Sequence, residues 1–275
     1  MKRLFALTAF ALLAAFVPAL AADSPASVSE IVHGRAGDYT IAGLVSRQRD
    51  RSAFRHGIAL FPGHPGIMRL REEGGSIDYE LKGNFLVRSS RHWLDDDTLV
   101  VAVDAPSDQW SSFSQEFRAT PRYAKDVAAL LDAVAAKYPV GEWTFVGTSE
   151  GSISAYHAAR MNPAHAKRLA LTASVFSASR NGPGLSGVRP DELGMPLLIV
   201  HHEDDPCPIT RYKDAAGFAA AGKSPLLTVR GGGPARGNPC MAFTAHGFVG
   251  VEAETVHAIR SWVRSGAVPA DVQGK

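Results

Sequence analysis

From residue 39 onward, short apolar runs alternate with longer segments whose apolar residues recur at helical spacing. The runs Tyr39 to Ser46, Ile58 to Phe61, Thr98 to Val103, Trp143 to Val146, Leu169 to Ala173, Leu197 to Val200 and Leu226 to Val229 are predicted strands. Helices are predicted around Asn84 to Leu94, over Arg122 to Lys137, from Gly151 to Met161, over Thr210 to Ala221 and over Val251 to Val263. The second of these places Val127, Leu130, Leu131 and Val134 on one face and is stopped by Pro139. Apolar strands separated by amphipathic helices imply one α/β domain, a doubly wound, mostly parallel sheet with helices on both faces. No internal repeat or linker divides it. In such a sheet, ligands meet the loops at the carboxyl ends of the strands, which directs attention to the loops beginning at Pro62, Asp104, Gly147, His202 and Gly231.

The first residues break this pattern. Lys2 and Arg3 precede an almost unbroken Leu, Ala and Phe run from Leu4 to Val17, Pro18 interrupts it, and Ala19-Leu20-Ala21 supplies a small-x-small site. That arrangement predicts a signal peptide over residues 1–21, cleaved before Ala22, and a mature domain over residues 22–275. The competing reading, a membrane anchor, needs about 20 apolar residues; this run is shorter and ends in proline. No cysteine stands near the site for lipid attachment. Asp23 to Ser29 is predicted to be a loose polar lead-in. The expected location is periplasmic or secreted, without a membrane anchor after cleavage, where disulfides persist.

Composition narrows the class. The chain has 275 residues, 45% hydrophobic and 20% charged, with two cysteines, which suits a sizeable core and excludes a disordered tail, a collagen-like repeat or a disulfide-framework miniprotein. The net charge of +2 disappears once Lys2 and Arg3 are removed. With no basic stripe left, nucleic acid is not an expected partner.

The sharpest chemical signal is Gly147-Thr148-Ser149-Glu150-Gly151, a G-x-S-x-G pentapeptide between a predicted strand and a predicted helix. A strained strand-to-helix turn lifts one hydroxyl above the sheet, its flanking glycines allow strand and helix to approach, and the helix N-terminus favours negative charge nearby. Without that context the five letters would read as an ordinary Gly/Ser turn. A serine also needs a base, and the base a group that orients it. Both are available in the chain order serine, acid, histidine. Acids follow the Leu197 to Val200 strand in His201-His202-Glu203-Asp204-Asp205, and His246 stands in Ala245-His246-Gly247-Phe248. The run from His201 to Asp205 also admits a metal-cluster reading, the minor one because adjacent residues at a strand end point in opposite directions. His33, His56, His92, His157, His165 and His257 carry no supporting motif and are expected as surface or helix residues.

These motifs resemble the α/β-hydrolase-fold serine hydrolase superfamily over essentially the whole mature chain. The resemblance implies Ser149 as nucleophile, His246 as base and, by the spacing of an H-G-x-x-D loop, Asp205 as acid, with Asp204 the alternate. It implies an oxyanion hole from the backbone N–H groups of Glu150 and of His64, in Pro62-Gly63-His64-Pro65-Gly66. Gly83-Asn84-Phe85-Leu86-Val87-Arg88-Ser89, Asp104-Ala105-Pro106-Ser107-Asp108 and Asn238-Pro239-Cys240 resemble small exported members of the superfamily. Asp104, Ser107, Asp108 and Gln109 are open to a pocket-lining or a solvated-loop reading. The implied activity is cleavage of an ester or related acyl bond in a small molecule, with no cofactor and no metal. A peptidase, a thioesterase or a dienelactone-type hydrolase would use the same parts. A different class, a non-catalytic binding module on this fold, has no physical need for all three triad residues.

Two expectations follow from the implied triad. If Asp205 and His246 are bonded, their loops are neighbours, which brings Cys207 and Cys240 within bridging distance and predicts a disulfide. About two dozen residues separate the Leu169 to Ala173 and Leu197 to Val200 strands, and Ser177 to Pro190 is rich in Ser, Gly and Arg. The lid is therefore expected to be minimal and the site open.

Overall fold

The computed structural model describes residues 27–268 and 270–274. The predicted signal peptide lies outside the described residues. In chain order the structure begins with β1 (Ser27–Arg35), β2 (Thr40–Gln48), β3 (Phe54–Phe61), a hairpin of β4 (Arg71–Glu73) and β5 (Ser76–Asp78), then α1 (Phe85–Arg88), α2 (Ser90–Trp93) and β6 (Thr98–Val103). It continues with α3 (Gln115–Arg118), α4 (Pro121–Lys137), β7 (Val140–Thr148), α5 (Gly151–Met161), β8 (Ala166–Thr172) and β9 (Leu197–His202). The chain closes with α6 (Tyr212–Ala221), β10 (Leu226–Arg230), α7 (Glu252–Ser265) and β11 (Val272–Gln273).

Among the described residues, nine strands form one sheet in the order β1-β2-β6-β3-β7-β8-β9-β10-β11. Only β1 and β2 run antiparallel to their neighbours; from β6 to β11 the sheet is parallel. Alternate side chains of one strand feed opposite layers, as the strand pleat requires. On β6, Leu99, Val101 and Val103 pack beneath α4 and α5. Val100 and Ala102 pack with Phe85, Trp93, Ile259 and Trp262 of α1, α2 and α7. Both faces of the parallel strands are thus buried, which is why their sequences read as unbroken apolar runs.

Helix α4 shows how local signals and packing agree. The Thr120 side chain accepts from the Tyr123 N–H at 3.2 Å, Pro121 occupies the first turn, and the buried stripe includes Val127, Leu130, Leu131 and Val134.

The structure corrects three expectations. Ser27–Ser29 is not lead-in but the start of β1, with Ser27 paired to Gln48 and Ser29 to Ser46. This edge strand is half exposed and mixed in polarity, so its order comes from its partner's backbone. The predicted helix from Asn84 to Leu94 is two short helices divided at Ser89, whose hydroxyl donates to the Phe85 carbonyl at 2.6 Å. His56 is neither a surface nor a helix residue: it is buried on β3, 3.1 Å from a Glu142 carboxylate oxygen.

Between β8 and β9 no helical cap is inserted among the described residues; the segment carries one three-residue turn of helix at Pro190–Glu192. Val175, Phe176, Leu185 and Leu193 bury their side chains in the body of the domain rather than over the site.

Candidate active site

Strand β7 lies between β3 and β8 and ends at Thr148. The next residue, Ser149, has φ of 52°, left-handed backbone that a side chain adopts only at a cost. The turn is held by the Ser149 N–H donating to the Thr172 carbonyl at 3.1 Å, and by the Ser149 carbonyl accepting from Ser152 N–H at 3.0 Å and Ser152 Oγ at 2.6 Å. The flanking glycines are sterically required. A Cβ on Gly151 would stand 2.0 Å from the Phe61 carbonyl oxygen, and one on Gly147 2.5 Å from the Gly151 carbonyl oxygen. This strained turn presents Ser149 at the mouth of α5.

Across the carboxyl edge, the loop after β9 brings Asp205 to His246: Asp205 Oδ2 lies 3.0 Å from His246 Nδ1. Asp205 Oδ2 also accepts from Thr210 Oγ1 at 2.9 Å, and Oδ1 accepts from the Cys207 N–H at 2.9 Å. Thr210 Oγ1 stands 3.1 Å from His246 Nδ1, so the hydroxyl sits wedged between the Asp205 carboxylate and the His246 ring. Burial alone would raise the Asp205 carboxyl. The polar contacts of His201 and His246 outweigh it and hold the group well below the usual carboxylate range. Asp204 and Glu203 are exposed, and Glu203 pairs with Arg230 at 2.6 Å.

His201 and His202 diverge, as strand geometry requires. His201 Nε2 reaches the Thr210 carbonyl at 2.7 Å, and His202 Nε2 the Gly231 carbonyl at 2.9 Å. Among the described residues no group of three or more His, Cys, Asp or Glu is arranged to hold a metal ion.

Ser149, His246 and His64 open onto one cavity of about 240 Å³, walled on its apolar side by Leu81, Phe85, Met241 and Phe243. The Pro62–Gly66 turn abuts Ser149: a Cβ on Gly63 would lie 2.9 Å from Ser149 Cβ. One wall is tethered, since Cys240 is joined to Cys207 in a disulfide with a Cα separation of 4.5 Å, linking the cavity rim to the loop of Asp205. A second tie is Arg88. Its guanidinium donates to the carbonyls of Gly83 (2.7 Å) and Gly247 (2.6 Å) and to Glu252 (2.8 Å), joining the wall to the loop that carries His246.

The Glu150 side chain is itself buried. Its Oε2 accepts from His64 Nδ1 at 3.1 Å, its Oε1 from Gln115 Nε2 at 3.1 Å, and the buried Arg118 guanidinium stands 3.9 Å away. Burial would raise this carboxyl, but the bonds from His64 and Gln115 and the Arg118 charge lower it. The Glu150 bond raises His64, whose side chain remains 75% exposed. Burial pushes Arg118 down to about 10, opposed by the Glu150 charge.

The loop after β6 does not line this cavity. Asp104 is buried and accepts from the N–H groups of Met68 (2.6 Å), Ala105 (2.8 Å) and Leu70 (3.0 Å), and burial raises its carboxyl. Asp108 pairs with Arg122 at 2.7 Å, Gln109 bonds Asp108 at 2.9 Å, and Ser107 accepts from Thr40 at 3.3 Å. These residues brace loops.

Thr210, the Glu150 side chain and Arg88 escaped the sequence reading. Only Arg88 left a trace there, inside a recognised stretch whose role the residues did not disclose.

No protein-family profile matches the sequence, and no curated protein is similar to it in sequence. Solved structures are similar in shape. Est1E from Butyrivibrio proteoclasticus superposes with a TM-score of 0.59 at 12% identity, covering 85% of this chain and 97% of that one. A dienelactone hydrolase-like promiscuous phosphotriesterase from metagenomic libraries superposes with 0.54 at 17% identity, over 87% and 98%. An α/β serine hydrolase without lid from Xanthomonas campestris gives 0.50 at 16% identity, over 86% and 94%. The chain has the α/β-hydrolase fold.

Proposed function

We propose that the protein is a serine hydrolase that cleaves small esters through an acyl-enzyme intermediate, with Ser149, Asp205 and His246 as its triad. The observation that carries this reading is the Asp205–His246 bond set beside a strained Ser149 in one apolar cavity. Ser149 Oγ attacks the ester carbonyl as His246 Nε2 takes its proton; Asp205 accepts the Nδ1–H, fixing the tautomer and stabilising the imidazolium. The proposed donors to the oxyanion are the backbone N–H groups of Glu150, at the start of α5, and of His64, whose turn abuts Ser149. The imidazolium returns its proton to the departing alkoxide, and the alcohol leaves. A water then gives a proton to His246 and attacks the acyl carbon, and collapse releases the acid and restores Ser149. The scheme calls on no cofactor or metal.

The cavity favours small acyl groups. Its 240 Å³ is below the roughly 300–1,000 Å³ of pockets that hold drug-sized ligands. The names of the structural neighbours, an esterase and a dienelactone hydrolase-like enzyme among them, support ester chemistry. The disulfide and the N-terminal sequence support a periplasmic or secreted location.

A fluorophosphonate probe is expected to label the wild-type protein and not Ser149→Ala. Among p-nitrophenyl esters of graded length, kcat/KM should be highest for short acyl groups, with no rate increase at the critical micelle concentration of longer ones. Folded protein that neither takes the probe nor cleaves any of these esters would overturn the reading.

A further inference from the structure

The triad as proposed leaves one buried group at its centre unused. His201, the fifth residue of β9, has a fully buried side chain, and its Nε2 lies 3.2 Å from Asp205 Oδ2, the same oxygen that faces His246. Its other contact reveals which nitrogen carries hydrogen. Nε2 is 2.7 Å from the Thr210 carbonyl, and a carbonyl can only accept, so Nε2 is a donor. That N–H is bonded to the Thr210 carbonyl, and the nitrogen lies 3.2 Å from the Asp205 carboxylate as a charge contact.

The result is a closed ring of contacts. His201 holds the Thr210 backbone, the Thr210 hydroxyl holds Asp205 Oδ2 at 2.9 Å, and His201 reaches the same oxygen directly. Counting His246, three polar groups converge on Oδ2.

The second nitrogen of His201 argues against simple space filling. Nδ1 is buried without a hydrogen-bond partner. An unpaired buried nitrogen is a cost that an apolar side chain of similar shape would avoid. What a histidine offers here that Phe or Leu could not is the Nε2 donor.

We propose that His201 is a positioning residue for the triad: its Nε2–H anchors Asp205 Oδ2 and shares the carboxylate charge on which His246 draws. The proposal rests on the hydrolase reading for its meaning, and on the contacts above for its geometry. With the anchor removed, Asp205 Oδ2 keeps Thr210 and His246 alone, its carboxylate becomes a stronger acceptor, and the His246 imidazolium is favoured. The other ionisable groups around this cluster are turned elsewhere. His202 bonds Gly231, the ring of Tyr212 lies edge-on 6.1 Å from His201 with its hydroxyl on Thr228, and Arg88 reaches the Gly247 carbonyl. Glu203 and Asp204 are exposed.

The test compares His201→Phe, which removes the donor, with His201→Gln, whose amide nitrogen extends about as far as Nε2. Two readouts are taken across pH: the rate of fluorophosphonate labelling at Ser149, and the titration of His246 followed by imidazole ¹⁵N NMR. His201→Phe should label roughly 10- to 100-fold more slowly, the consequence of losing one hydrogen bond to a charged group. Its His246 midpoint and the acidic limb of the labelling profile should move to higher pH, and His201→Gln should restore both. If His201→Phe does not fold, His201→Asn, whose amide falls short of Asp205, takes its place. A merely structural role predicts a lower melting temperature with the midpoint unmoved; that result, or a labelling rate within twofold of wild type, would overturn the proposal. Should the folded wild-type protein refuse the probe, the hydrolase reading falls, and the NMR midpoint still decides whether His201 acts on His246 through Asp205.

Discussion

Two of the carboxylates buried at the carboxyl edge of the sheet, Asp205 in the loop after β9 and Glu150 at the start of α5, are held below the ordinary carboxylate range. Their partners differ. Asp205 is gripped by imidazoles, a hydroxyl and one backbone N–H, and its Oδ2 faces His246, which opens onto the cavity. Glu150 is gripped by His64, by Gln115 of α3 and, at 3.9 Å, by the buried Arg118. Those partners extend into the scaffold: Gln115 Oε1 accepts from the Gly184 N–H at 2.9 Å, and Arg118 donates to the Pro65 carbonyl at 2.7 Å and to Ser154 Oγ at 3.0 Å. Burial and direction of shift are alike, so neither reveals the role; the identity of the partner does. A carboxylate facing an imidazole at a cavity can tune a proton transfer. One set against a core guanidinium and a loop histidine fastens the turn that carries His64.

That contrast can be broken experimentally, first at Asp205. Asp205→Asn should leave the fold intact and lower kcat by about 10⁴-fold, because the amide can donate to Nδ1 and so favour the wrong tautomer of His246. The check is ester turnover beside a thermal melt; a loss below tenfold would remove Asp205 from the role given to it.

Next in size is the disulfide, which ties the Asp205 loop to the cavity wall and leaves the Glu150 side untouched. Its loop spans 33 residues, and on chain-entropy grounds its removal should cost roughly 3–4 kcal/mol, an upper figure. The double variant Cys207→Ser/Cys240→Ser should therefore melt lower and turn over more slowly. Wild-type turnover in that variant would confine the bond to a stabilising role, and two free thiols in unreduced, denatured protein expressed in the periplasm would deny it altogether.

The smallest effect on rate is expected at Glu150. Glu150→Gln leaves Arg118 without its nearby charge and should cost about 2 kcal/mol of stability, with turnover reduced less than tenfold. Denaturant melts and kinetics measure the two, and Glu150→Gln/Arg118→Met should recover part of the stability. The pH dependence has a definite sign. Because Glu150 and Asp205 are lowered in the folded protein, their contribution is complete above their ordinary values of 4.5 and 3.8 and is lost as pH falls through the lower native ones. His64 is raised, so its contribution is complete below 6.5 and is lost as pH rises through its native value. In Glu150→Gln the His64 midpoint, read by NMR, should fall back toward 6.5; an unchanged midpoint would show that Glu150 does not hold the ring.

Much of this molecule is legible in its sequence, for a physical reason. Parallel strands buried on both faces must be continuously apolar, and α4 must carry its stripe and caps, so those elements announce themselves locally. Ser149 was readable because the strained turn demands glycines at 147 and 151, and His246 because its loop stands just before the closing helix. The tertiary structure decided what local composition does not encode. Ser27–Ser29 became strand because β2 supplied a hydrogen-bonding edge, and the helix predicted from Asn84 parted at Ser89. Asp204 was separated from Asp205 by which carboxylate the loop turns toward His246. The Thr210 wedge, the His201 anchor and the Glu150–Arg118 contact join residues apart in the chain, and each depends on distances and angles that only the assembled fold sets.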